Sequence, residues 1–216
     1  MLGGRVEALG IGNEGEAHGE TVATHSRCEV LKVAITGAGG LLLGGIAAQR
    51  MLGATAATPS ARQDRQILNY ALLLEYLQAS FYEEALGRAR LQGELREFAE
   101  VVGGHEQAHV AFLKKALGRN ARQRPTFQFG QATRDAQKFG ATASVLEDAG
   151  VAAYNGQAAN LTKSTLGAAV KIVSVEGRHA AWIRDIVGLE PAPHAADAGA
   201  TATELTAKLK SLGFVR

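Results

Sequence analysis

A spacing of glutamate and histidine that occurs twice in the chain limits its fold more than any other feature. Glu106 is followed three residues later by His109, and Glu176 is followed three residues later by His179. Residues three apart lie on one face of an α-helix, so each pair can direct a carboxylate and an imidazole at the same point. The repeat therefore predicts two helices that each supply half of one site.

Two further glutamates lie in otherwise apolar helical segments. Glu75 stands in Ala-Leu-Leu-Leu-Glu-Tyr-Leu, and Glu147 stands in Ser-Val-Leu-Glu-Asp-Ala-Gly-Val. Buried, unpaired carboxylates are costly and repel one another, whereas two divalent cations would balance four of them. The order Glu, Glu-x-x-His, Glu, Glu-x-x-His is the inward-facing ligand set of a di-iron or di-manganese carboxylate four-helix bundle. The candidate metal ligands are Glu75, Glu106, His109, Glu147, Glu176 and His179.

The composition agrees with a helical protein and narrows the kinds of metal site. Among the 216 residues, only 6% are aromatic and 4 are proline, which favours helices over a sandwich or barrel. A net charge of +2 without a long basic run does not indicate nucleic acid as a partner. The single cysteine, Cys28, excludes an intramolecular disulfide and any cysteine-built metal site. Histidines and carboxylates must therefore hold any metal, and the set suits iron or manganese.

Apolar periodicity and helix-breaking residues predict four long helices. We place them at about 61–90, 94–117, 133–160 and 165–187, with the candidate ligands on the apolar stripes. The connection between the second and third helices is long, as in ferritin-like bundles. The predicted fold class is therefore all-α, a ferritin-like four-helix bundle with a long crossover between helices two and three. The predicted domains are a bundle over 57–190 and a tail over 191–216 that can contain a short helix.

The first 56 residues are predicted to lie outside the bundle, as a disordered leader and an export signal. A short basic region at 26–32 precedes an uncharged apolar run over 33–49, and Ala54-Thr55-Ala56 offers a small-residue cleavage site. The basic region resembles a twin-arginine signal, except that Cys28 stands where the second arginine belongs. We therefore expect a periplasmic or extracellular protein that contacts a membrane only if this segment stays uncleaved. An uncleaved anchor or a buried helix is the alternative.

The motifs resemble those of the ferritin-like superfamily over about residues 61–188. Leu-Glu-Asp-Ala-Gly-Val-Ala-Ala-Tyr (146–154) and Val-Glu-Gly-Arg-His-Ala-Ala-Trp-Ile-Arg (175–184) are more narrowly similar to bacterial ferritin-like domain proteins often labelled desiccation-associated. The resemblance implies two iron or manganese ions that react with dioxygen or peroxide in an oxidative or desiccation stress response, such as iron oxidation or peroxide removal. It does not fix the substrate, because ferroxidases, peroxidases, oxygenases and storage proteins share the bundle.

Three other interpretations stay open. The metals can hold a stress-protective bundle together without turnover, or a homo-oligomeric cage can store iron. The stretch His-Glu-Gln-Ala-His also matches the zinc metallopeptidase motif, in which His105 and His109 bind zinc and Glu106 is the general base. That motif leaves Glu75, Glu147 and the second Glu-x-x-His unexplained. In the bundle, His105 is rotated by about 100° from Glu106, and we expect it to point away from the site.

Tyrosines accompany the two isolated glutamates at the same spacing. Tyr82 follows Glu75 and Tyr154 follows Glu147, each by seven residues. The two halves of the bundle therefore look like copies of one helix pair. We expect both tyrosines to be core residues with a satisfied hydroxyl rather than redox partners.

Overall fold

The computed structural model describes residues 58–214, so the leader and export signal expected over 1–56 lie outside the described residues. The described part contains no strand, which confirms the all-α fold class. None of its helices is both long and apolar enough to cross a membrane. The α-helices are α1 (Ala61–Arg88), α2 (Gly93–Leu117), α3 (Ala136–Gln157), α4 (Lys163–Ile186) and α5 (Ala202–Ser211).

Side-chain caps and one glycine explain several helix ends. The Ser60 hydroxyl accepts a hydrogen bond from the Gln63 backbone N–H at the start of α1, at 3.3 Å. Asp135 accepts one from the Lys138 backbone N–H at 2.8 Å, which explains why α3 begins at Ala136 rather than near 133 as expected. Each such cap stabilises a helix by about 1 kcal/mol. After α2, Gly118 adopts a φ of +54°, a conformation that glycine reaches without a steric penalty.

The four long helices form two pairs. α1 packs along α2 and α3 packs along α4, and each pair is joined by a short connection, over 89–92 and 158–162 respectively. A long crossover over 118–135 leads from α2 to α3. Its first part is fixed against α1, because the Asn69 side chain donates to the Asn120 carbonyl at 3.0 Å and accepts from the Arg122 N–H at 2.8 Å.

Two apolar clusters occupy the described core, and on α2 and α4 they lie on opposite sides of the candidate ligands. The larger cluster contains Phe81, Phe98 and Phe139, and replacing a buried phenylalanine of this kind by alanine typically costs about 3–5 kcal/mol. The smaller cluster contains Leu113 and Ile172 among its members. On α2 and α4 the candidate ligands lie between the segments that enter the two clusters. The bundle thus places the charged residues in a layer flanked by apolar side chains.

The last helix closes one side of the larger cluster. Leu205 and Leu209 of α5 are buried there, together with Phe214 beyond the helix. The chain before α5 crosses α3 closely, and the Ala200 N–H donates to the Ala152 carbonyl at 2.9 Å. A side chain at Gly156 would collide with the Ala200 backbone. A glycine that weakens α3 on its own is therefore required by this crossing.

Candidate metal centre

The structure brings all six candidate ligands into one layer of the bundle. Each long helix supplies part of the set: α1 and α3 contribute one glutamate each, and α2 and α4 contribute one Glu-x-x-His pair each. Helical spacing places the two members of each pair on the inner face. The side chains that meet are Glu75 from α1, Glu106 and His109 from α2, Glu147 from α3, and Glu176 and His179 from α4.

The six side chains form two overlapping groups. In each group, one ligand atom from every member lies within 4.8 Å of those of the others. Glu106 and Glu176 belong to both groups, so their carboxylates stand where two metal ions would share ligands. The first group adds Glu75 and His109, and the second adds Glu147 and His179.

Both imidazoles direct Nδ1 toward the carboxylates. Nδ1 of His109 lies 3.1 Å from Glu176 Oε1, 3.3 Å from Glu75 Oε2 and 3.6 Å from Glu106 Oε2. Nδ1 of His179 lies 3.2 Å from Glu147 Oε2 and 3.3 Å from Glu106 Oε1. Nitrogen and oxygen atoms therefore converge from all four helices.

Several of these buried atoms form no hydrogen bond within the described residues, although imidazole nitrogens and carboxylate oxygens approach one another to 3.1–3.6 Å. All four glutamates are at most 2% exposed. The unpartnered atoms include both carboxylate oxygens of Glu106 and of Glu176, Oε2 of Glu75 and Nδ1 of His109. A buried polar atom left unsatisfied costs about 1–3 kcal/mol, and a charged one costs more. Oxygen and imidazole nitrogen atoms in this state fit bound divalent cations, so these side chains could hold metal ions.

In a metal-free centre, protons would have to balance the negative charge of the buried glutamates. Burial, followed by the charge of neighbouring glutamates, raises the pKa of Glu106 and of Glu176 well above the ordinary value. Burial alone would lower the pKa of His109, but the carboxylates facing it raise the pKa to about 12. Burial alone would raise the pKa of Glu75, but His109, Glu106 and Tyr154 lower it. The metal-free centre therefore favours a protonated imidazole with some neutral carboxyl groups.

The remaining oxygen of each isolated glutamate is held by a tyrosine. The Tyr154 hydroxyl donates to Glu75 Oε1 at 2.6 Å, and the Tyr82 hydroxyl donates to Glu147 Oε1 at 2.5 Å. Burial raises the pKa of both tyrosines far above the ordinary value, so both remain protonated donors. Gln78 also donates to Glu147 Oε1, at 3.1 Å. The sequence interpretation missed Gln78, whose only signal was a polar residue one turn after Glu75 on an apolar helix.

His105 does not point away from the site, so that expectation is wrong. It belongs to neither group of candidate ligands. However, its Nδ1 lies 2.8 Å from Nε2 of His179, and the two rings are nearly parallel, at 14°. The metallopeptidase motif requires His105 and His109 to bind one ion. In the structure His105 contacts the histidine of the other helix pair instead.

Comparison with family models finds a match to the ferritin-like domain over residues 63–189. This range covers more than half of the chain and includes all six candidate ligands. The chain belongs to the ferritin-like domain family. A comparison with curated proteins gives no match. The ferritin-like domain and its buried carboxylate and histidine cluster fit a metal-carboxylate protein.

One glycine of this ferritin-like domain makes room for a shared carboxylate. A Cβ atom built at Gly150 of α3 would lie 2.7 Å from Glu176 Oε2. The Glu176 carboxylate therefore occupies the space that a side chain would fill. A glycine inside a helix can mark a close approach, but the sequence does not show which group approaches it.

A surface cleft of this ferritin-like domain lies between α2 and α4, against the candidate histidine ligands. The cleft has a volume of about 410 Å³ and exposes edges of both candidate histidine ligands. His109 is the more exposed of the two, with 12% of its side chain accessible against 4% for His179. A small molecule in this cleft would therefore contact the two imidazoles, whereas none of the four glutamates lines the cleft. The lining residues are Val101, His105, Ala108, His109, Val175, Arg178, His179 and Trp182.

Proposed function

We propose that this ferritin-like protein binds two iron or manganese ions and reacts with dioxygen or peroxide. The observation that carries the proposal is the pair of ligand groups sharing Glu106 and Glu176, whose carboxylate oxygens are buried and unpartnered. Four carboxylates can balance two divalent ions, and one imidazole for each ion suits iron or manganese. Zinc would accept the same ligands but supplies no redox chemistry.

Bound iron or manganese would supply the electrons that reduce dioxygen or peroxide. The protein contributes a buried, shaped site, because the four glutamates are at most 2% exposed and are surrounded by apolar side chains. Tyr82 and Tyr154 hold Glu147 and Glu75 in place by donating to one oxygen of each. The other oxygen of each glutamate then remains directed at the centre. Such fixed ligands reduce the rearrangement that binding requires.

The surface cleft against His109 and His179 is large enough to admit dioxygen or peroxide. Its volume of about 410 Å³ would also admit larger molecules. An oxidative or desiccation stress role, such as iron oxidation or peroxide removal, is part of the proposal. It rests on the narrower sequence resemblance at 146–154 and 175–184.

A non-catalytic role is the second candidate. The ligand layer joins all four long helices, so metal ions held there would brace the bundle even without turnover. This alternative predicts metal binding and a higher melting temperature without consumption of dioxygen or peroxide.

The decisive experiment loads the protein anaerobically with Fe²⁺ or Mn²⁺ and measures the bound metal. Dioxygen or peroxide is then added and its consumption is followed. We expect about two ions per chain. We also expect consumption of dioxygen or peroxide that repeats when excess Fe²⁺ supplies the electrons, and both should be lost in Glu106→Ala. Glu97→Ala is the control, since Glu97 lies on the same helix with an exposed side chain. Binding without consumption would favour the bracing role, and no binding would reject both.

We also propose that the protein acts outside the cytoplasm. This part rests only on the apolar run at 33–49 and the small-residue site at 54–56. Intact-mass measurement of protein from its own host tests it. We expect a chain that starts near Ala57, and a chain retaining residues 1–50 would contradict export by cleavage.

A further inference from the structure

We propose that His105 is a positioning residue for His179 and makes the two metal positions unequal. The proposal rests on the proposed metal centre but does not depend on its reaction. The position formed by Glu147, His179 and the shared carboxylates would bind metal more tightly than the position formed by Glu75, His109 and the same carboxylates.

The two nitrogens of His179 face different partners. Nδ1 faces the carboxylates of Glu147 and Glu106, and Nε2 lies 2.8 Å from Nδ1 of His105. A neutral imidazole carries one N–H, so its second nitrogen offers a lone pair. When Nε2–H donates to His105, Nδ1 presents that lone pair to the centre. With Nδ1 of His105 as the acceptor, the contact favours the tautomer of His179 that binds metal and holds its ring in position.

The second Glu-x-x-His segment has no counterpart of His105 at the matching position. In the first Glu-x-x-His segment, the residue before the glutamate is His105, and in the second segment it is Val175. Because the valine side chain has no hydrogen-bonding group, it cannot repeat for His109 what His105 does for His179. His105 and Val175 line the same surface cleft, so the two halves of the centre differ on the side that faces this cleft.

The hydrogen bonds to the glutamates and the exposure of the histidines also favour the His179 position. Glu147 receives hydrogen bonds from both Tyr82 and Gln78, whereas Glu75 receives one from Tyr154. The His179 side chain is 4% exposed and the His109 side chain is 12% exposed. Ligands that are held by more hydrogen bonds and are less exposed to water favour tighter metal binding at the His179 position. An ion at the His109 position would therefore exchange faster.

The test is an anaerobic Co²⁺ titration of the full chain, followed by absorbance and competition with a chelator. Wild-type protein should bind in two steps of different affinity. Two variants assign the steps: Glu147→Gln should impair the tighter step, and Glu75→Gln the weaker one. His105→Ala should weaken the tighter step by about 10- to 100-fold, the usual effect of removing a partner of a metal-binding histidine. Gln107→Ala, an exposed neighbour on α2, should leave both steps unchanged.

His105→Asn separates positioning from packing. The asparagine side chain carries its oxygen at the place where histidine has Nδ1, so it can accept the same hydrogen bond. We expect it to restore most of the lost affinity. In Zn²⁺-loaded protein, the Nε2–H proton of His179 should give a downfield NMR signal that exchanges slowly with water. The signal should disappear in His105→Ala and return in His105→Asn.

The outcomes distinguish this inference from the proposed function. Unchanged Co²⁺ affinity in folded His105→Ala would overturn the role of His105, even if the protein consumes dioxygen. A loss in the step assigned to Glu75 would overturn it as well. If wild-type protein binds metal with these His105 effects but consumes neither dioxygen nor peroxide, the inference stands and the proposed reaction fails.

Discussion

The hydroxyl of Tyr154 on α3 donates a hydrogen bond to Oε1 of Glu75 on α1, at 2.6 Å. The reverse pair is also present, with Tyr82 of α1 donating to Glu147 of α3. Each tyrosine of the repeated Glu-x6-Tyr spacing therefore binds the glutamate of the other half of the bundle, not the glutamate that precedes it in sequence. These bonds link α1 with α3, two helices that pack mainly against α2 and α4.

Loss of the Tyr154 hydroxyl should destabilise the metal-free bundle. Tyr154→Phe leaves Oε1 of Glu75 without its donor in a buried position, which should lower the free energy of unfolding by about 1–3 kcal/mol. Denaturant unfolding of chelator-treated protein measures the change. A double-mutant cycle with Glu75→Ala, which removes the acceptor, is the control. Strictly additive effects would show that the two side chains do not act together.

Metal loading should raise the melting temperature. Ions that bind only the native state stabilise it by mass action, by about 2.7 kcal/mol at a hundredfold excess over Kd. Thermal melts with Mn²⁺, or with anaerobic Fe²⁺, against chelator-treated protein measure the gap. Glu147→Ala should shrink the gap, and Glu97→Ala should leave it unchanged. Equal melting temperatures with and without metal at pH 7.5 would mean that these side chains hold no metal.

The stability of the metal-free protein should fall as the pH rises from about 4.5 to 7.5. Folding raises the pKa of Glu106 and Glu176, so their contribution is fully present below the unfolded value of about 4.3 and is lost as pH rises through the folded values. His109, with its pKa raised to about 12, changes in the same direction above its unfolded value of about 6.5. Unfolding free energies measured at several pH values give the profile.

The pH profile should also change when one glutamate is replaced and when metal is bound. Glu106→Gln removes one carboxyl that must ionise, so its metal-free profile should be flatter than that of the wild type. Metal binds the ionised carboxylates, and the difference in melting temperature between loaded and metal-free protein should therefore widen from pH 5 to pH 7.5. A metal-free protein that becomes more stable over this interval would contradict the raised pKa values.

Gly150→Ala should weaken metal binding while the bundle still folds. The added methyl group would meet Oε2 of Glu176 at 2.7 Å and displace a shared carboxylate. Gly167→Ala is the matched control, because a Cβ there meets no atom within 4 Å. At such an open helical site, alanine should stabilise the protein by about 0.5–1 kcal/mol and leave affinity unchanged. Metal titration and thermal melts test both. Equal affinities in the two variants would be evidence against the Glu176 position described above.

The sequence by itself determined the helices and the inner position of the six charged or ionisable residues. Helical faces follow from residue spacing, and a glutamate amid apolar residues must enter the core with them. The ferritin-like family was likewise readable from the order Glu, Glu-x-x-His, Glu, Glu-x-x-His. The observed helix ends differ from the expected ones by a few residues, as at α3, where the Asp135 cap determined the start. Metal binding by the six residues stays a prediction.

Only the tertiary structure decided which side chains meet across helices. Spacing on α2 places His105 off the face of Glu106, but the position of α4 brings His179 within 2.8 Å of it. The tyrosine–glutamate contacts between α1 and α3 and the space that Gly150 leaves for Glu176 likewise depend on how α1, α3 and α4 are packed. Helical periodicity is a local property of the chain, whereas contacts between helices depend on their separation and rotation. Those are set by the packing of the whole core.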